Sequence, residues 1–256
     1  MIPRLPQSFL GAPIAHRGLH DVKDGRPENS RAAIRAAMDA GYGIEIDLQM
    51  TSDAQAMVFH DYDMRRLTGS PGAIRLISSQ QAQATTLLGN AEEHIPSLTQ
   101  VLELVAGRVP LLIELKDQDG AMGTAIGPLE RATVTALRGY EGPVALMSFN
   151  PNSVALLADL MPDVPRGIVT SAYDPAEWPL SQVVCDHLRD IPDFDRTQSC
   201  FISHEVEDLD RPRVAELKAG GADILCWTSK SAAQDHLARR IAQNVTFEGY
   251  LAQAPA

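Results

Sequence analysis

Two short apolar segments of this 256-residue chain carry charged residues at alternate positions. Glu45 and Asp47 lie within the segment Gly43–Met50, and Glu114 and Lys116 lie at the end of a second one. Alternate side chains of a β-strand point to the same face, so each charged pair is expected to share one face of its strand. Burying three carboxylates and an ammonium costs several kcal/mol unless they are paired or hold a cation. The pattern therefore predicts a functional site.

The three carboxylates form a set of oxygen ligands that suits a hard divalent cation. Glu45, Asp47 and Glu114 favour Mg²⁺ or Ca²⁺, with Mn²⁺ as a third candidate. Zinc is less favoured here, because no pair of histidines at ligand spacing accompanies these acids. The alternative is that the acids only form ion pairs with Arg17 and Lys116. We favour the cation, because three acids facing two bases leave one buried charge uncompensated.

Histidines and cations near these strands supply the other groups that catalysis needs. His16 and His60 stand on different predicted strands and are candidates for general acid and general base. Arg17 offers a planar fork for a phosphate, and Lys116 offers a point charge. Trp227 ends another predicted strand, where it could pack against the carbon skeleton of a substrate. A cation, two basic residues and two histidines favour phosphoryl transfer.

Nine strand-like segments with amphipathic segments between them predict the fold. They are Pro13–His16, Gly43–Met50, Ala56–His60, Pro110–Lys116, Val144–Phe149, Arg166–Thr170, Cys200–His204, Asp223–Thr228 and Phe247–Leu251. The second and third are too close for a parallel crossover, so they are expected to form an antiparallel hairpin. The other eight alternate with helices, which predicts a (β/α)8 TIM barrel with a small hairpin and insertion after strand 2. An open doubly wound sheet is the rival, but no G-x-G-x-x-G motif follows the first strand.

Helix capping signals support the same arrangement, with one domain expected over residues 1–256. The expected helices begin at Asn29 or Ser30, at Ser97, at Asn152 or Ser153, at Pro212 and at Ser231, and end at Gly41, Gly107, Pro162, Gly220 and Gln243. The segments Tyr62–His94 and Asp174–Thr197 have no predicted strand. Long connections of this kind are often functional.

Composition narrows the classes of partner. The formal net charge of −11 argues against binding to nucleic acid or to anionic membranes. No segment approaches the ~18 uninterrupted apolar residues of a membrane span, and the N-terminus does not resemble a signal peptide. Three cysteines without C-x-x-C spacing are expected to be reduced thiols. We therefore expect a cytoplasmic protein that acts on a small molecule, with no signal for its oligomeric state.

An ordered set of motifs resembles one enzyme family over essentially the whole chain. The motifs are His16-Arg17-Gly18, Pro27-Glu28-Asn29-Ser30, Glu45-x-Asp47, Thr51-x-Asp53, Val58-Phe59-His60-Asp61, Ile95-Pro96-Ser97-Leu98, Glu114-Leu115-Lys116, Ser148-Phe149 and Trp227-Thr228. The chain is similar to the glycerophosphodiester phosphodiesterases, which belong to the phosphatidylinositol-phospholipase-C-like barrels. The resemblance implies metal-dependent hydrolysis of glycerophosphodiesters to sn-glycerol 3-phosphate and an alcohol.

The resemblance also implies roles for the residues already singled out. Residues matching Glu45, Asp47 and Glu114 hold the divalent cation, and those matching His16 and His60 catalyse. Residues matching Arg17 and Lys116 bind the phosphate. In the implied mechanism the free glycerol hydroxyl attacks phosphorus, and a cyclic phosphate is then hydrolysed. The alternatives are a lysophospholipase D-type phosphodiesterase and a catalytically silent barrel that binds phosphorylated ligands.

Three motifs depart from the family pattern. The hairpin turn Thr51–Ala54 lacks the usual final glycine, and Trp227–Lys230 replaces Trp-Thr-Val-Asn. The usual Gly-Ile-x-Thr-Asp near the C-terminus is matched here to Gly249–Gln253. These differences concern the eighth barrel strand and substrate preference.

Overall fold

A computed structural model describes residues 2–253, and its centre is a closed barrel of eight parallel strands. A ninth strand pairs antiparallel with the second and forms the hairpin. The strands are β1 (Ile14–Ala15), β2 (Gly43–Met50), β3 (Ala56–Val58), β4 (Leu111–Leu115), β5 (Val144–Ser148), β6 (Arg166–Thr170), β7 (Phe201–Glu205), β8 (Asp223–Ser229) and β9 (Asn244–Phe247). Because β1 pairs with both β2 and β9, the sheet closes. The predicted TIM barrel with a hairpin is confirmed.

The position of the last strand was predicted wrongly. The structure places β9 at Asn244–Phe247, where the prediction had Phe247–Leu251. Asn244 and Thr246 alternate with Val245 and Phe247, as expected for a strand, whereas Gly249 adopts a φ of 78° beyond it. A left-handed residue interrupts the extended backbone that pairing requires, so the strand ends before it.

Ten helices surround the barrel within the described residues. They are α1 (Ser8–Gly11), α2 (Arg31–Asp39), α3 (Arg65–Thr68), α4 (Ser79–Ala84), α5 (Leu98–Val105), α6 (Pro128–Leu137), α7 (Pro151–Leu160), α8 (Gln182–Arg189), α9 (Pro212–Ala219) and α10 (Ala232–Ala238). Ser30, Ser97 and Ser231 cap α2, α5 and α10 as predicted.

Two helix predictions need correction. Helix α7 begins earlier than predicted: Asn150 caps it, and Pro151 occupies the first helical position, where a missing N–H has no cost. Helix α10 ends at Ala238 and does not reach Gln243. None of the described helices is long and apolar enough to cross a membrane. The extent of the domain, residues 1–256, stays a prediction.

Two apolar layers hold the barrel together and leave only one end open. The outward side chains of the strands, such as Ile46 and Ile113, pack against the helices. Inside the barrel, Leu112, Phe201 and the N-terminal Phe9 form a second cluster at the amino ends of the strands. Active sites of TIM barrels lie at the opposite, carboxyl end. The polar residues predicted for the site lie on that side.

The two segments without a predicted strand are folded. Residues 62–94 carry α3 and α4 and form a small apolar core under the hairpin that includes Met64, Leu67 and Ile74. Residues 174–197 carry α8, and Trp178 from this segment packs on the aromatic ring of Phe149. Both segments therefore add walls to the open end of the barrel.

Candidate active site

The predicted acids converge at the open end of the barrel because their strands are neighbours. Strand register places Asp47 directly beside Glu114, and Glu45 lies one inward position below Asp47. Ligand oxygens of these three residues lie within 4.8 Å of one another. Each residue is at most 6% exposed. The structure thus brings together the three carboxylates predicted to hold a cation.

Two basic side chains partly compensate this negative charge. Nζ of Lys116 lies 2.7 Å from Oδ1 of Asp47 and 2.6 Å from Oε1 of Glu114. Burial alone would raise the pKa of Asp47, but Lys116, the histidines and Arg17 outweigh it and hold that pKa well below its ordinary value. Burial, together with the charges of Asp47 and Glu114, raises the pKa of Glu45 well above its ordinary value. The basic side chains therefore do not fully compensate the negative charge around Glu45.

The donor set fits a hard divalent cation. It consists only of carboxylate oxygens, the ligand type that Mg²⁺ and Ca²⁺ prefer. In the described part of the chain, Oδ1 of Asp47 is buried and makes no hydrogen bond of good geometry, even with Lys116 nearby. A cation among Glu45, Asp47 and Glu114 would satisfy that oxygen and lower the pKa of Glu45.

The turn after β1 explains why arginine is followed by glycine in the His16-Arg17-Gly18 motif. The backbone N–H of Arg17 donates to Oε2 of Glu45 (3.0 Å), and Nη1 of Arg17 donates to Oε1 of Glu28 (2.8 Å). Gly18 has a φ of 77°, and a Cβ atom there would lie 2.8 Å from the carbonyl carbon of Ala33. Only glycine allows this close approach, which fixes Arg17 at the edge of the site.

A carboxylate orients His16. Nδ1 of His16 lies 2.7 Å from Oε2 of Glu248, the residue that follows β9. An ionised carboxylate can only accept, so Nδ1 carries the proton and Nε2, 4.0 Å from Oε2 of Glu45, keeps its lone pair. The side chain is 14% exposed, and burial lowers the pKa of His16 below that of an ordinary histidine despite the hydrogen bond to Glu248. His16 is therefore a neutral imidazole near pH 7.

A longer chain of ion pairs orients His60. Nδ1 of His60 lies 2.7 Å from Oδ1 of Asp61, and Arg66 on α3 donates to both oxygens of Asp61 at 2.7 and 2.8 Å. Arg66 also donates to both oxygens of Glu28, at 2.7 and 2.8 Å. Since Glu28 accepts from Arg17, the chain links His60 to the predicted phosphate-binding arginine.

A cavity of about 390 Å³ joins these groups. His16, His60 and Lys116 line it, together with the aromatic residues Phe149 and Trp227. Trp227 is held by an edge-to-face contact with Phe149 (5.4 Å between ring centroids) and by its Nε1, which donates to the carbonyl oxygen of Ser203 (3.0 Å). All of the residues predicted for the site line this cavity except Asp47, whose carboxylate adjoins those of Glu45 and Glu114. Their catalytic and binding roles stay predictions.

A second cavity of about 700 Å³ adjoins the first. His60, Glu114 and Lys116 line both cavities, and the second also contacts Tyr62 and Met122. Phe149 and Trp178 add apolar surface to it, and the charged residues Asp61, Asp63, Arg65, Arg66 and Asp117 line the rest. A larger cavity of about 840 Å³ lies beside α4 and α6 and contains none of the predicted site residues. The second cavity is the one positioned to receive part of a substrate bound at the histidines.

Comparison with known proteins identifies the family. A model of the glycerophosphoryl diester phosphodiesterase family matches residues 16–244. The chain belongs to this family. The identification of the family from the sequence is therefore confirmed, and the enzyme class in the family's name agrees with the predicted one.

Relatives and solved structures agree with this membership. The chain is 34% identical to a glycerophosphodiester phosphodiesterase from Caldanaerobacter subterraneus subsp. tengcongensis over 61% of its length and 65% of the relative's length. A putative glycerophosphodiester phosphodiesterase from Bacillus subtilis is 28% identical, over 86% of this chain and 88% of the relative. An Oleispira antarctica phosphodiesterase, solved with its product sn-glycerol-3-phosphate, has a TM-score of 0.78 at 23% identity and covers 94% of each chain. That last likeness shows the shared fold.

The structure separates the C-terminal motif from the last barrel strand. That strand ends at Phe247 and Glu248 follows it directly, whereas Gly249–Gln253, to which the family's Gly-Ile-x-Thr-Asp is matched, lie beyond the strand. The alternation of polar Asn244 and Thr246 with apolar Val245 was the signal for this strand. Sequence reasoning also gave no role to Arg66 and Trp178, because no local pattern reveals a contact between an insertion and the barrel.

Proposed function

We propose that this chain hydrolyses glycerophosphodiesters to sn-glycerol 3-phosphate and an alcohol, with a divalent cation and two histidines acting as general acid and base. The observation that carries the proposal is one cavity of about 390 Å³ that joins two carboxylate-held histidines, two basic residues and a cluster of acids. This combination suits phosphoryl transfer, in which charge on the phosphate oxygens must be stabilised.

Glu45, Asp47 and Glu114 would hold the cation. When bound, it would neutralise charge that develops on the phosphate oxygens. Arg17 and Lys116 bind and orient the same phosphate from the side of the cavity. Both are anchored by carboxylates, which restricts their motion before the substrate arrives.

The two histidines take different roles because they face different parts of the substrate. His16 is neutral and has a free Nε2, so it removes the proton from the glycerol hydroxyl beside the ester. That oxygen bonds to phosphorus as the bond to the alcohol breaks. His60, which lines both cavities, donates a proton to the leaving alcohol. Water then opens the cyclic phosphate with the two roles reversed.

A diester whose neighbouring hydroxyl is methylated tests this mechanism. The methylated diester has no internal nucleophile, so we expect turnover at a small fraction of the rate with the parent compound. Glycerol 3-phosphate release from choline, ethanolamine, glycerol and inositol diesters measures the parent activity. Equal rates for the methylated and parent compounds would favour direct attack by water. Failure to turn over any diester would favour the silent barrel.

The cation is tested by chelation and by binding. Excess chelator should abolish turnover, and Mg²⁺, Mn²⁺ or Ca²⁺ should restore it. Asp47→Asn and Glu114→Gln should weaken cation binding in calorimetric titrations while circular dichroism stays unchanged, since both side chains lie at the open end of the barrel. Full activity of metal-stripped enzyme in chelator would contradict the proposal. The cytoplasmic location expected from the sequence and the absence of nucleic-acid partners stay predictions.

The aromatic and apolar residues of the second cavity favour lysophospholipase D activity as a second candidate function. Tyr62, Met122, Phe149 and Trp178 give it walls that an acyl chain could contact. The test compares choline release from lysophosphatidylcholine and from glycerophosphocholine under identical conditions. A higher kcat/KM with the lysophospholipid would make it the main substrate class.

A further inference from the structure

A second histidine approaches the carboxylate that orients His16. Nε2 of His20 lies 3.6 Å from Oε2 of Glu248, the oxygen that also accepts from Nδ1 of His16. One ligand atom from each of His16, His20 and Glu248 lies within 4.8 Å of the other two. This group is distinct from the acids at Glu45, and the proposed function assigns it no ligand.

Glu248 is the partner that Nε2 of His20 approaches. The side chain of His20 is 24% exposed, but Nε2 itself is buried, and its 3.6 Å distance to Oε2 of Glu248 is too long for a hydrogen bond of good geometry. The neighbouring backbone is fixed, because the N–H of Leu19 donates to the carbonyl oxygen of Ala33 (3.0 Å). A buried ring nitrogen with only this long contact to a carboxylate is weakly satisfied, so a metal ion between the two would complete its bonding.

We propose that His16, His20 and Glu248 bind a zinc ion, and that this binding inhibits the enzyme. Two imidazoles and one carboxylate form a ligand set that zinc prefers, with a fourth position open. In a tetrahedral zinc site, neighbouring ligand atoms lie about 3.3 Å apart. The 2.7 and 3.6 Å separations around Glu248 lie on either side of that spacing, and one ring nitrogen of each histidine lies within 4.8 Å of the other.

The ammonium group of Lys230 competes with zinc for the carboxylate of Glu248. Nζ of Lys230 lies 3.7 Å from the other oxygen of Glu248, Oε1, and the lysine side chain is 69% exposed. An exposed lysine loses little by turning to solvent. Lys230 therefore opposes zinc only weakly, and it leaves free the oxygen that faces both histidines.

Zinc bound here would stop the first proton transfer. Coordination at Nδ1 of His16 requires the other neutral tautomer: the Nδ1 proton is lost to solvent and Nε2 takes one proton up from solvent, so the ring stays neutral but is protonated on Nε2. That nitrogen then has no lone pair with which to accept a proton from the glycerol hydroxyl. The inhibition rests on the proposed function, whereas the binding of zinc does not.

Cobalt(II) and zinc titrations of the full chain in excess Mg²⁺ test the site. We compare the wild type with His20→Gln, and use His236→Gln, an exposed histidine on α10, as the matched control. The wild type and the control should show the intense visible bands of four-coordinate cobalt. His20→Gln should lose these bands and bind zinc at least ~10-fold more weakly. Equal zinc affinity of the wild type and His20→Gln, or only weak six-coordinate bands in the wild type, would overturn the proposal.

Inhibition supplies the second measurement. The zinc concentration that halves diester turnover should be at least ~10-fold higher for His20→Gln than for the wild type or the control. Turnover of His20→Gln without zinc reports that it is folded. If no variant turns over any diester, the proposed function fails while the cobalt bands still decide the zinc site. Normal turnover with identical zinc sensitivity in all three proteins would refute the inhibitory site alone.

Discussion

The two histidines of the site are held by the same kind of bond in two different surroundings. His16 is 14% exposed, and its partner Glu248 lies on the barrel wall. His60 is 30% exposed, and its partner Asp61 is clamped by Arg66 from the insertion. Burial lowers the pKa of His16, so it is suited to accept a proton. His60 lies where the two cavities meet, so it is suited to donate one to the leaving group.

The comparison shows that the barrel and the insertion contribute different parts of the site. The barrel supplies His16, Glu248 and the acids from adjacent strands, whose geometry follows from strand register. The insertion supplies Arg66, whose two paired contacts connect Asp61 with Glu28. A planar guanidinium can hold two carboxylates in fixed geometry, which lysine cannot do. Removing Glu248 should therefore affect proton transfer at His16, and removing Arg66 should affect proton transfer at His60.

Replacing either histidine should have the largest effect. His16→Ala and His60→Ala should each lower kcat by ~10²–10⁴-fold, because each removes a positioned proton-transfer group. A diester with a p-nitrophenol leaving group needs no proton from the enzyme, so it should restore much of the rate to His60→Ala but not to His16→Ala. Steady-state kinetics with both substrates make this comparison. Equal restoration in both variants would break the assignment of base and acid.

Loss of the guanidinium clamp should have the next largest effect. Arg66→Gln should lower kcat about tenfold, since His60 loses its fixed orientation, and Arg66→Lys should recover only part of that loss. Arg75→Gln is the matched control, because Arg75 is exposed, lies in the same insertion and lines neither cavity of the site. The loss should shrink with the p-nitrophenyl substrate. An unchanged kcat in Arg66→Gln would show that the clamp is dispensable.

The same clamp should make stability depend on pH. Burial would raise the pKa values of Glu28 and Asp61, but Arg66, with Arg17 and His60, outweighs it and lowers both. Carboxyl groups with lowered pKa values stabilise the fold above their unfolded pKa of about 4 and lose that contribution as the pH falls. Arg66→Gln should therefore reduce the free energy of unfolding by about 1 kcal/mol at pH 7, given the solvent exposure of Arg66. The difference from the wild type in urea titrations should shrink as the pH falls from about 4 towards 2, and a constant difference would contradict the linkage.

Removing an aromatic side chain from the wall of the second cavity should have the smallest effect. Trp178→Ala removes an aromatic contact next to Phe149, so KM for glycerophosphocholine should rise only a few-fold, about 1 kcal/mol of binding. The pH dependence of kcat should stay the same, because Trp178 contacts neither histidine's carboxylate partner. Val183→Ala, on the exposed surface of α8, is the control. A large fall in kcat would place Trp178 in the catalytic step instead.

The amino-acid sequence by itself determined the barrel, the hairpin and the inward-facing acids. Each of these depends on short-range patterns: alternation in β2 and β4, serine caps on helices, and a connection after β2 too short for a crossover. The motif around His16 and the pair His60-Asp61 were visible for the same reason. Local periodicity decides which face of a strand a residue occupies, and strand order then brings Asp47 beside Glu114.

Only the tertiary structure decided that Glu248 supports His16 and that Arg66 holds Asp61, the partner of His60. The bond between His16 and Glu248 joins residues 232 positions apart, and that between Arg66 and Glu28 joins residues 38 positions apart. No local sequence pattern reveals contacts between residues so far apart in the chain, because these contacts form only when the barrel closes and the insertion folds over its rim. The approach of His20 to Glu248 has the same origin. Closure of the barrel joins its first and last strands, and it is at that junction that the sequence prediction was wrong.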